Sequence, residues 1–297
     1  MKNIRLIKDY FIDKTFFVLT ILSISTVVFI GWGLYYKSIP LLNSASLSDL
    51  LFSSEWKPFK EAFGFYSFIV GTLWVTLIAI IIALPLSMLT AIYLSEYAPI
   101  RVRKLVLPLI ELLSGIPPVL YGLWGVLIIV PLIQEKIAPL FVEFNTGYSA
   151  LAGGIVLAVM IFPLIISIMI EVFDNVPQDL RNASLALGAT QWQTTKKVVL
   201  RKSIAGIVAA IVLAISRAFG ETIAVLMVCG NLAQLPQNIF DSVYPLPALI
   251  ANNYGEMMSI PMYDSALMFA ALLLFIIIFL FNALSRIILY RIEKRNH

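Results

Sequence analysis

Two charged residues inside one long apolar run are the residues of this sequence most suited to chemistry. Arg217 and Glu221 lie in the apolar run that begins near Ser203, and a helix rising 1.5 Å per residue would place Arg217 roughly 20 Å from the start of the run. Because the two residues are four apart, a continuous helix would bring both to one face, where they can pair. At mid-membrane an Arg costs about 2.5 to 3.5 kcal/mol or more. We therefore predict either a polar pathway, in which the guanidinium contacts a passing anion and Glu221 holds it between passages, or a structural ion pair that sets helix register.

The rest of the sequence offers little other chemistry. It contains one cysteine, Cys229, and one histidine, His297. These numbers exclude a disulfide within the chain, a Cys/His metal site and a nucleophile activated by histidine. No Gly-Lys dipeptide is present, so the Walker A pattern is absent. We expect no catalytic residue, metal site or bound cofactor in this chain, and any ATP hydrolysis would be performed by a partner.

The composition is that of a membrane protein. Of the 297 residues, 60% are hydrophobic and 13% are charged, and the mean hydropathy is +0.94, whereas a soluble domain carries about 25% charged residues. Runs long enough to cross a bilayer predict an all-α protein with six transmembrane helices. The predicted spans cover residues 15–36, 67–95, 105–133, 150–172, 204–229 and 266–289.

The distribution of basic residues predicts the orientation. Most of the 21 Lys and Arg residues lie in the amino end, the loop 96–104, the loop 173–203 and the carboxyl end. Because basic loops stay in the cytoplasm, both termini are predicted to be cytoplasmic. The opposite loops are net acidic, so an anionic substrate would arrive on a carrier, and the formal charge of +4 gives no reason to expect nucleic acid.

The third predicted span contains helix-breaking residues. Gly115, Pro117 and Pro118 precede Tyr121, and two adjacent prolines remove two backbone donors, so the helix must bend or break there. In hydrocarbon such a break needs a protein interior or a wet cavity. We predict a gate or pathway element formed by these four residues, with a packing kink as the alternative. Glu111, in the same span, is either part of the gate or a carboxylate near the membrane surface.

The loop 173–203 predicts a helical hairpin. Pro177 suits the start of a first helix and Gly188 its end in a left-handed turn, and a second, basic helix would return to the membrane. Such a hairpin could contact a cytoplasmic partner or lie on lipid headgroups.

This loop resembles the coupling loop of the permease subunits of bacterial ATP-binding cassette importers. In that family the motif E-A-A-x-x-x-G is followed, after nine residues, by I-x-L-P. Asn182 replaces the motif's Glu, and Arg201 its Pro. The matching residues here are Asn182, Ala183, Ser184, Leu185, Ala186, Leu187 and Gly188, then Val198, Val199, Leu200 and Arg201. The resemblance implies docking on an ATPase, with coupling residues at Asn182, Ala183, Ser184 and Gly188.

Two further segments are similar to the PstC-type permeases of the high-affinity phosphate importer. They run from Ile110 to Gly125 and from Ser216 to Val225. The resemblance implies the MetI-like permease fold and a heterodimer with a PstA-type permease. It also implies a PstB-type ATPase dimer that uses ATP and Mg, and a PstS-type phosphate-binding protein. It assigns phosphate passage to Arg217 and Glu221.

On this basis we divide the chain into three regions: residues 1–66 as an anchor helix with the first periplasmic loop, 67–289 as the permease core and 290–297 as a cytoplasmic tail. The predicted location is the bacterial inner membrane, and the predicted function is phosphate import by alternating access. A permease for phosphonate, sulfate or molybdate remains an alternative. So do a proton-coupled carrier that titrates Glu221 and a membrane protein that signals without transporting.

Overall fold

The structure is a computed structural model that describes residues 2–256, 260 and 262–296. Nearly all of its regular structure is helical. The helices are α1 (Lys2–Ser44), α2 (Leu47–Phe52), α3 (Tyr66–Ile92), α4 (Ile100–Ser114), α5 (Pro118–Trp124), α6 (Val130–Leu132), α7 (Ala150–Asp174), α8 (Gln178–Ala186), α9 (Gln191–Thr194), α10 (Leu200–Lys202), α11 (Ile204–Gly220), α12 (Ile223–Val228), α13 (Leu246–Asn253) and α14 (Tyr263–Asn296).

Short π-helical and 3-10 segments extend several of these helices. Four π segments follow α3, α5, α6 and α9, at Tyr93–Tyr97, Gly125–Ile129, Ile133–Ile137 and Thr195–Val199. Two 3-10 turns lie at Pro58–Lys60 and Ala138–Leu140. The strands β1 (Trp56–Lys57) and β2 (Ala62–Phe63) form an antiparallel pair in which Trp56 faces Phe63.

Within the described residues, five helices are long and apolar enough to cross a membrane, and a sixth is added when one bent pair is counted as a single span. The five are Ile12–Ser44, Tyr66–Tyr97, Pro118–Leu140, Ala150–Asp174 and Tyr263–Arg291, and the bent pair is Gln191–Lys202 with Ile204–Gly220. The predicted all-α fold with six spans agrees with this architecture.

Two predicted span boundaries are wrong. The third span, expected at 105–133, is divided at residues 115–117, so α4 is a separate helix and the span begins at Pro118. The cause is the two prolines, which provide no N–H groups to continue α4. The fifth span was expected to be one helix over residues 204–229, but its first helix, α11, ends at Gly220.

The core is built around α7, which packs along α3. A helix that is apolar on every side must be covered on every side by protein or lipid. In α7, 56% of the most apolar 18-residue stretch is buried within the protein, whereas none of that stretch in α1 is. Gly154 allows the close approach, because a Cβ there would lie 2.3 Å from Ile78 Cγ2 of α3. The Ser149 hydroxyl caps α7 by accepting the Ala152 N–H at 3.2 Å.

A second apolar cluster lies at the end of the molecule predicted to be outside. Trp56 of β1 packs edge-on against Phe63, Phe65 and Phe68 at ring distances of 4.9 to 5.5 Å. Parts of α13 and α14 complete this cluster. Helix α1 lies beside α14 and otherwise leaves its apolar side chains exposed, as expected for a helix in contact with lipid. The predicted tail, 290–297, continues α14 to Asn296, and His297 lies outside the described residues.

Candidate functional site

The fifth apolar run is interrupted next to its charged residues. Helix α11 ends at Gly220, Glu221 has an extended backbone (φ −72°, ψ 126°), and α12 begins at Ile223. Arg217 lies in the last turn of α11, roughly 20 Å along the helix from its first residue. Arg217 therefore lies just before a helix break, and Glu221 lies in the break itself.

The prediction that Arg217 and Glu221 share one helix face, where they can pair, is wrong. A spacing of four residues gives neighbouring side chains only within a continuous helix. Here the Glu221 N–H bonds the Ala218 carbonyl at 3.3 Å and the backbone then becomes extended. The ion pairs found among the described side chains are four, and neither Arg217 nor Glu221 takes part in them.

Glu221 instead caps the next helix. Its Oε1 accepts the Ala224 N–H at 3.2 Å, at the amino end of α12. A carboxylate is favourable there because the first amides of a helix lack internal partners and carry partial positive charge. Glu221 is half-buried, so its evident structural role is to shape the break.

Arg217 is exposed on the surface of this single chain. The neighbouring Ser216 hydroxyl donates to Asn282 Oδ1 of α14 at 3.0 Å, and Asn282 Nδ2 donates to the Ile278 carbonyl at 2.8 Å. This contact ties the Arg217 turn of α11 to α14. We did not select Asn282 from the sequence, although an amide within the apolar run 266–289 is a signal that could have found it.

The predicted break at Gly115 to Pro118 is confirmed. Helix α4 ends at Ser114, Pro117 has an extended backbone (φ −58°, ψ 139°), and α5 begins at Pro118. The Tyr121 hydroxyl donates to the Leu113 carbonyl at 2.8 Å, which satisfies an acceptor at the end of α4. The role of these residues as a gate stays a prediction.

The two helix breaks come together in space. Helix α5 packs on α12, and a Cβ at Gly122 would lie 3.2 Å from the Ala224 Cα. Tyr121 is buried one position before this contact. The break before Pro118 and the start of α12, which Glu221 caps, therefore lie at one contact between helices.

The predicted helical hairpin is also confirmed. Helix α8 follows Pro177 and ends before Gly188, whose φ of +83° is the left-handed conformation that glycine adopts most readily. Thr190 and Gln193 form a capping box at the start of α9. The Ser184 and Thr194 hydroxyls lie 2.9 Å apart and join the two arms.

The residues that match the coupling motif are at the surface of this hairpin. Asn182, Ala183 and Gly188 are exposed, and no atom lies within 4 Å of a Cβ built at Gly188. Leu187 is 90% exposed. The tip of the hairpin therefore presents an apolar side chain to its surroundings.

Arg181 of α8 fastens the hairpin to the rest of the protein. It is buried, and its Nη2 donates to Glu96 Oε1 at 2.8 Å and to the Phe173 carbonyl at 2.8 Å. Its Nη1 also donates to the Val176 carbonyl. Because Glu96 follows α3, this ion pair fastens the hairpin to the membrane core. Sequence reasoning missed the pair because its members are 85 positions apart.

Comparison with known proteins identifies the family. A family model described as "Binding-protein-dependent transport system inner membrane component" matches residues 83–297. The phosphate transport system permease protein PstC of Pasteurella multocida is 38% identical over 261 residues, which cover 83% of this chain and 81% of that protein. The probable ABC transporter permease protein YqgH of Bacillus subtilis is 38% identical over 268 residues, covering 89% and 84%. The probable PstC protein of Methanocaldococcus jannaschii is 33% identical over 278 residues, covering 89% and 87%.

Solved structures show the same fold. A chain of the inward-facing MetNI methionine ABC transporter aligns with a TM-score of 0.56 and 20% identity, covering 77% of this chain and 94% of that chain. A chain of a bacterial ABC transporter for the acidic polysaccharide alginate aligns with a TM-score of 0.53 and 17% identity, covering 95% and 98%. The predicted MetI-like permease fold and multi-pass inner-membrane location agree with these matches, and the related proteins are transport subunits rather than enzymes. The chain belongs to the family of binding-protein-dependent transport system inner membrane components.

Proposed function

We propose that this chain is the transmembrane permease subunit of an ATP-driven importer of inorganic phosphate. The support for phosphate comes from the relatives, several of which are phosphate transport system permeases at 33 to 38% identity over most of the chain. We further propose that it forms half of the translocation pathway, with a PstA-type permease supplying the other half.

Arg217 is the residue that carries this proposal. A guanidinium at mid-membrane depth without a carboxylate partner is costly in lipid, so it must face water or protein. Its planar set of N–H donors matches the oxygens of a phosphate ion and can form two parallel hydrogen bonds with it. The helix break after Gly220 follows Arg217 by three residues, and α5, which begins after the other break, packs on α12; interrupted helices of this kind line the substrate path in transporters.

The roles of the other proposed pathway residues follow from their contacts. Glu221 caps α12, so we assign it the positioning of the break rather than the holding of the Arg217 guanidinium. Tyr121 closes the end of α4 through its bond to Leu113. Gly115, Pro117 and Pro118, together with Tyr121, form the proposed gate.

We propose that the hairpin transmits the motion of an ATPase. Its exposed tip around Leu187 and Gly188 would dock on a PstB-type ATPase dimer, which binds ATP and Mg and performs the hydrolysis. The buried pair of Arg181 with Glu96 would pass movement of α8 to the end of α3. A PstS-type binding protein would deliver phosphate to the outer face, and this chain itself would make and break no covalent bond.

The test is phosphate uptake by the reconstituted complex with Arg217→Ala. Loss of a hydrogen-bonded charge contact costs about 1.5 to 3 kcal/mol, so we expect uptake to fall roughly tenfold or more. Arg217→Lys keeps the charge without the planar set of donors, so its uptake rate should lie between those of the wild-type and Arg217→Ala complexes. Arg101→Ala, an exposed residue of α4, is the matched control and should transport normally.

Uptake by the Arg217→Ala complex at the wild-type rate would refute the pathway role. Competition by sulfate, molybdate or phosphonate at concentrations equal to phosphate should leave uptake nearly unchanged. If one of these anions inhibited uptake as strongly as unlabelled phosphate does, phosphate would not be the specific substrate.

A further inference from the structure

The chain bends sharply where the hairpin returns to the membrane. The segment Gln191–Lys202 and α11 meet at an angle of 68°. Residues from both arms of the bend, together with Met88 of α3, line an open cavity of about 630 Å³. The cavity lies at the start of α11, where the chain is predicted to enter the membrane from the cytoplasm. It is far along α11 from Arg217 and is not part of the proposed pathway.

Part of the lining of this cavity is strongly cationic. It is lined by Lys196, Lys197 and Arg201, all of them exposed. In the part of the chain that the structure describes, none of the three takes part in an ion pair, and no acidic side chain lines the cavity. Ile204, also in the lining, is the first residue of the 17-residue α11, so the partial positive charge of a helix amino end adds to the three side-chain charges.

The remaining lining residues, called the floor below, are apolar. They are Met88 of α3, Leu200, and Ile204 and Ile207 of α11. Ile207 is one turn further into the membrane than Ile204. The cavity therefore offers positive charge at the level of the lipid headgroups and hydrocarbon contact one turn deeper.

We propose that this cavity binds one anionic phospholipid. Its phosphate contacts Lys196, Lys197 and Arg201, and an acyl chain lies along Met88 and Ile207. Basic pockets between membrane helices on the cytoplasmic side have the chemistry that such headgroups require. Free inorganic phosphate would gain nothing from the apolar floor, and an acidic protein segment would have to enter the headgroup layer.

The position of the bound lipid links it to the moving parts of the fold. The lipid would brace the bend between the hairpin, through Lys196 and Arg201, and α11, through Ile207. Helix α11 carries Arg217 at its other end. The coupling between the hairpin and the pathway would then depend on anionic lipid in the inner leaflet.

The experiment is native mass spectrometry of the full purified chain, mixed with defined phosphatidylglycerol or phosphatidylcholine. The test variant is Lys196→Gln with Lys197→Gln and Arg201→Gln. A Lys or Arg near an anionic lipid surface contributes about fivefold in affinity, so retained phosphatidylglycerol should fall by more than tenfold. Phosphatidylcholine should not change.

The matched control removes the same number of exposed charges outside the cavity. It is Arg101→Gln with Lys104→Gln and Lys202→Gln, and it should retain phosphatidylglycerol within about twofold of wild type, since none of these side chains lines the cavity. Equal losses in the test and control variants would overturn the proposal, because attraction would then depend on total charge alone.

A second variant tests the apolar floor without changing charge. Ile207→Phe narrows the acyl contact and should lower phosphatidylglycerol retention at least about threefold. Full retention by this variant, or displacement of the lipid by millimolar inorganic phosphate, would overturn the proposal in favour of a site for free anions. If the triple variant does not fold, Lys197→Gln alone should give about a fivefold loss, and an unchanged affinity would count against the site.

Discussion

The buried pair of Glu96 and Arg181 should hold the helical hairpin in place, and Glu96→Gln tests this. The two side chains are 7% and 11% exposed, and Arg181 Nε lies 3.3 Å from both carboxylate oxygens. Removing one member of a buried pair costs about 3 to 5 kcal/mol. In Glu96→Gln, Arg181 keeps its hydrogen bonds to the Phe173 and Val176 carbonyls, and the glutamine oxygen can still accept a hydrogen bond from it. We therefore expect a loss at the lower end of this range, about 3 kcal/mol.

The assay is amide hydrogen exchange of α8 in the purified chain. A loss of about 3 kcal/mol in local stability should speed the slow exchange of Gln178–Ala186 by about 100-fold. Glu171→Gln is the matched control, since this glutamate at the end of α7 is exposed and forms none of the described ion pairs. Exchange in Glu96→Gln within about twofold of this control would refute the holding role.

A double-mutant cycle separates the pair from its surroundings. Arg181→Gln alone leaves Glu96 buried without its cation and should destabilise α8 by a similar amount. Combining both changes removes both buried charges, so the double variant should be less destabilised than the sum by about 2 kcal/mol. Additive losses would show that the two residues act independently.

Two glycines give further predictions. Gly125→Ala should lower the midpoint of thermal unfolding, because the added Cβ would lie 2.5 Å from Val156 Cγ2 and overpacking costs about 1 to 3 kcal/mol. The control is Gly33→Ala, whose Cβ would meet nothing within 4 Å, and it should not lower the midpoint. Gly188→Ala should destabilise the hairpin by about 1 to 2 kcal/mol, since φ is +83°, whereas Gly188→Asn should recover part of this loss, as measured by exchange of α8. An unchanged midpoint for Gly125→Ala, or equal losses for Ala and Asn at position 188, would contradict the respective explanation.

The hairpin was predictable because its signals are local. Pro177 before the first helix and the left-handed Gly188 after it each act within a few residues. The break at Pro117 and Pro118 was predictable for the same reason, since proline stops a helix wherever the chain goes afterwards.

The break after Gly220 was not predictable in the same way. No proline lies near it, and Arg217 and Glu221 show the spacing of a continuous helix. The feature that accompanies the break is a tertiary one, the packing of α12 against α5. The helix period therefore predicted an ion pair that the fold does not make.

Contacts between distant residues were also beyond sequence reasoning. Glu96 and Arg181 meet only because the end of α3 lies beside the start of the hairpin. Ser216 and Asn282 meet because α11 and α14 pack together. In each case the polar character of the residues was visible, and the partner was not.

ATP-dependent uptake of radiolabelled phosphate tests the central claim most directly. The complex that co-purifies with this chain is reconstituted into vesicles with phosphate-loaded binding protein, and ATP is supplied on the side of the hairpin. We predict uptake with ATP and none with a pH gradient alone, together with recovery of an ATPase that has a Walker A motif and a second permease. Uptake driven by a pH gradient in vesicles that contain only this chain would contradict the account.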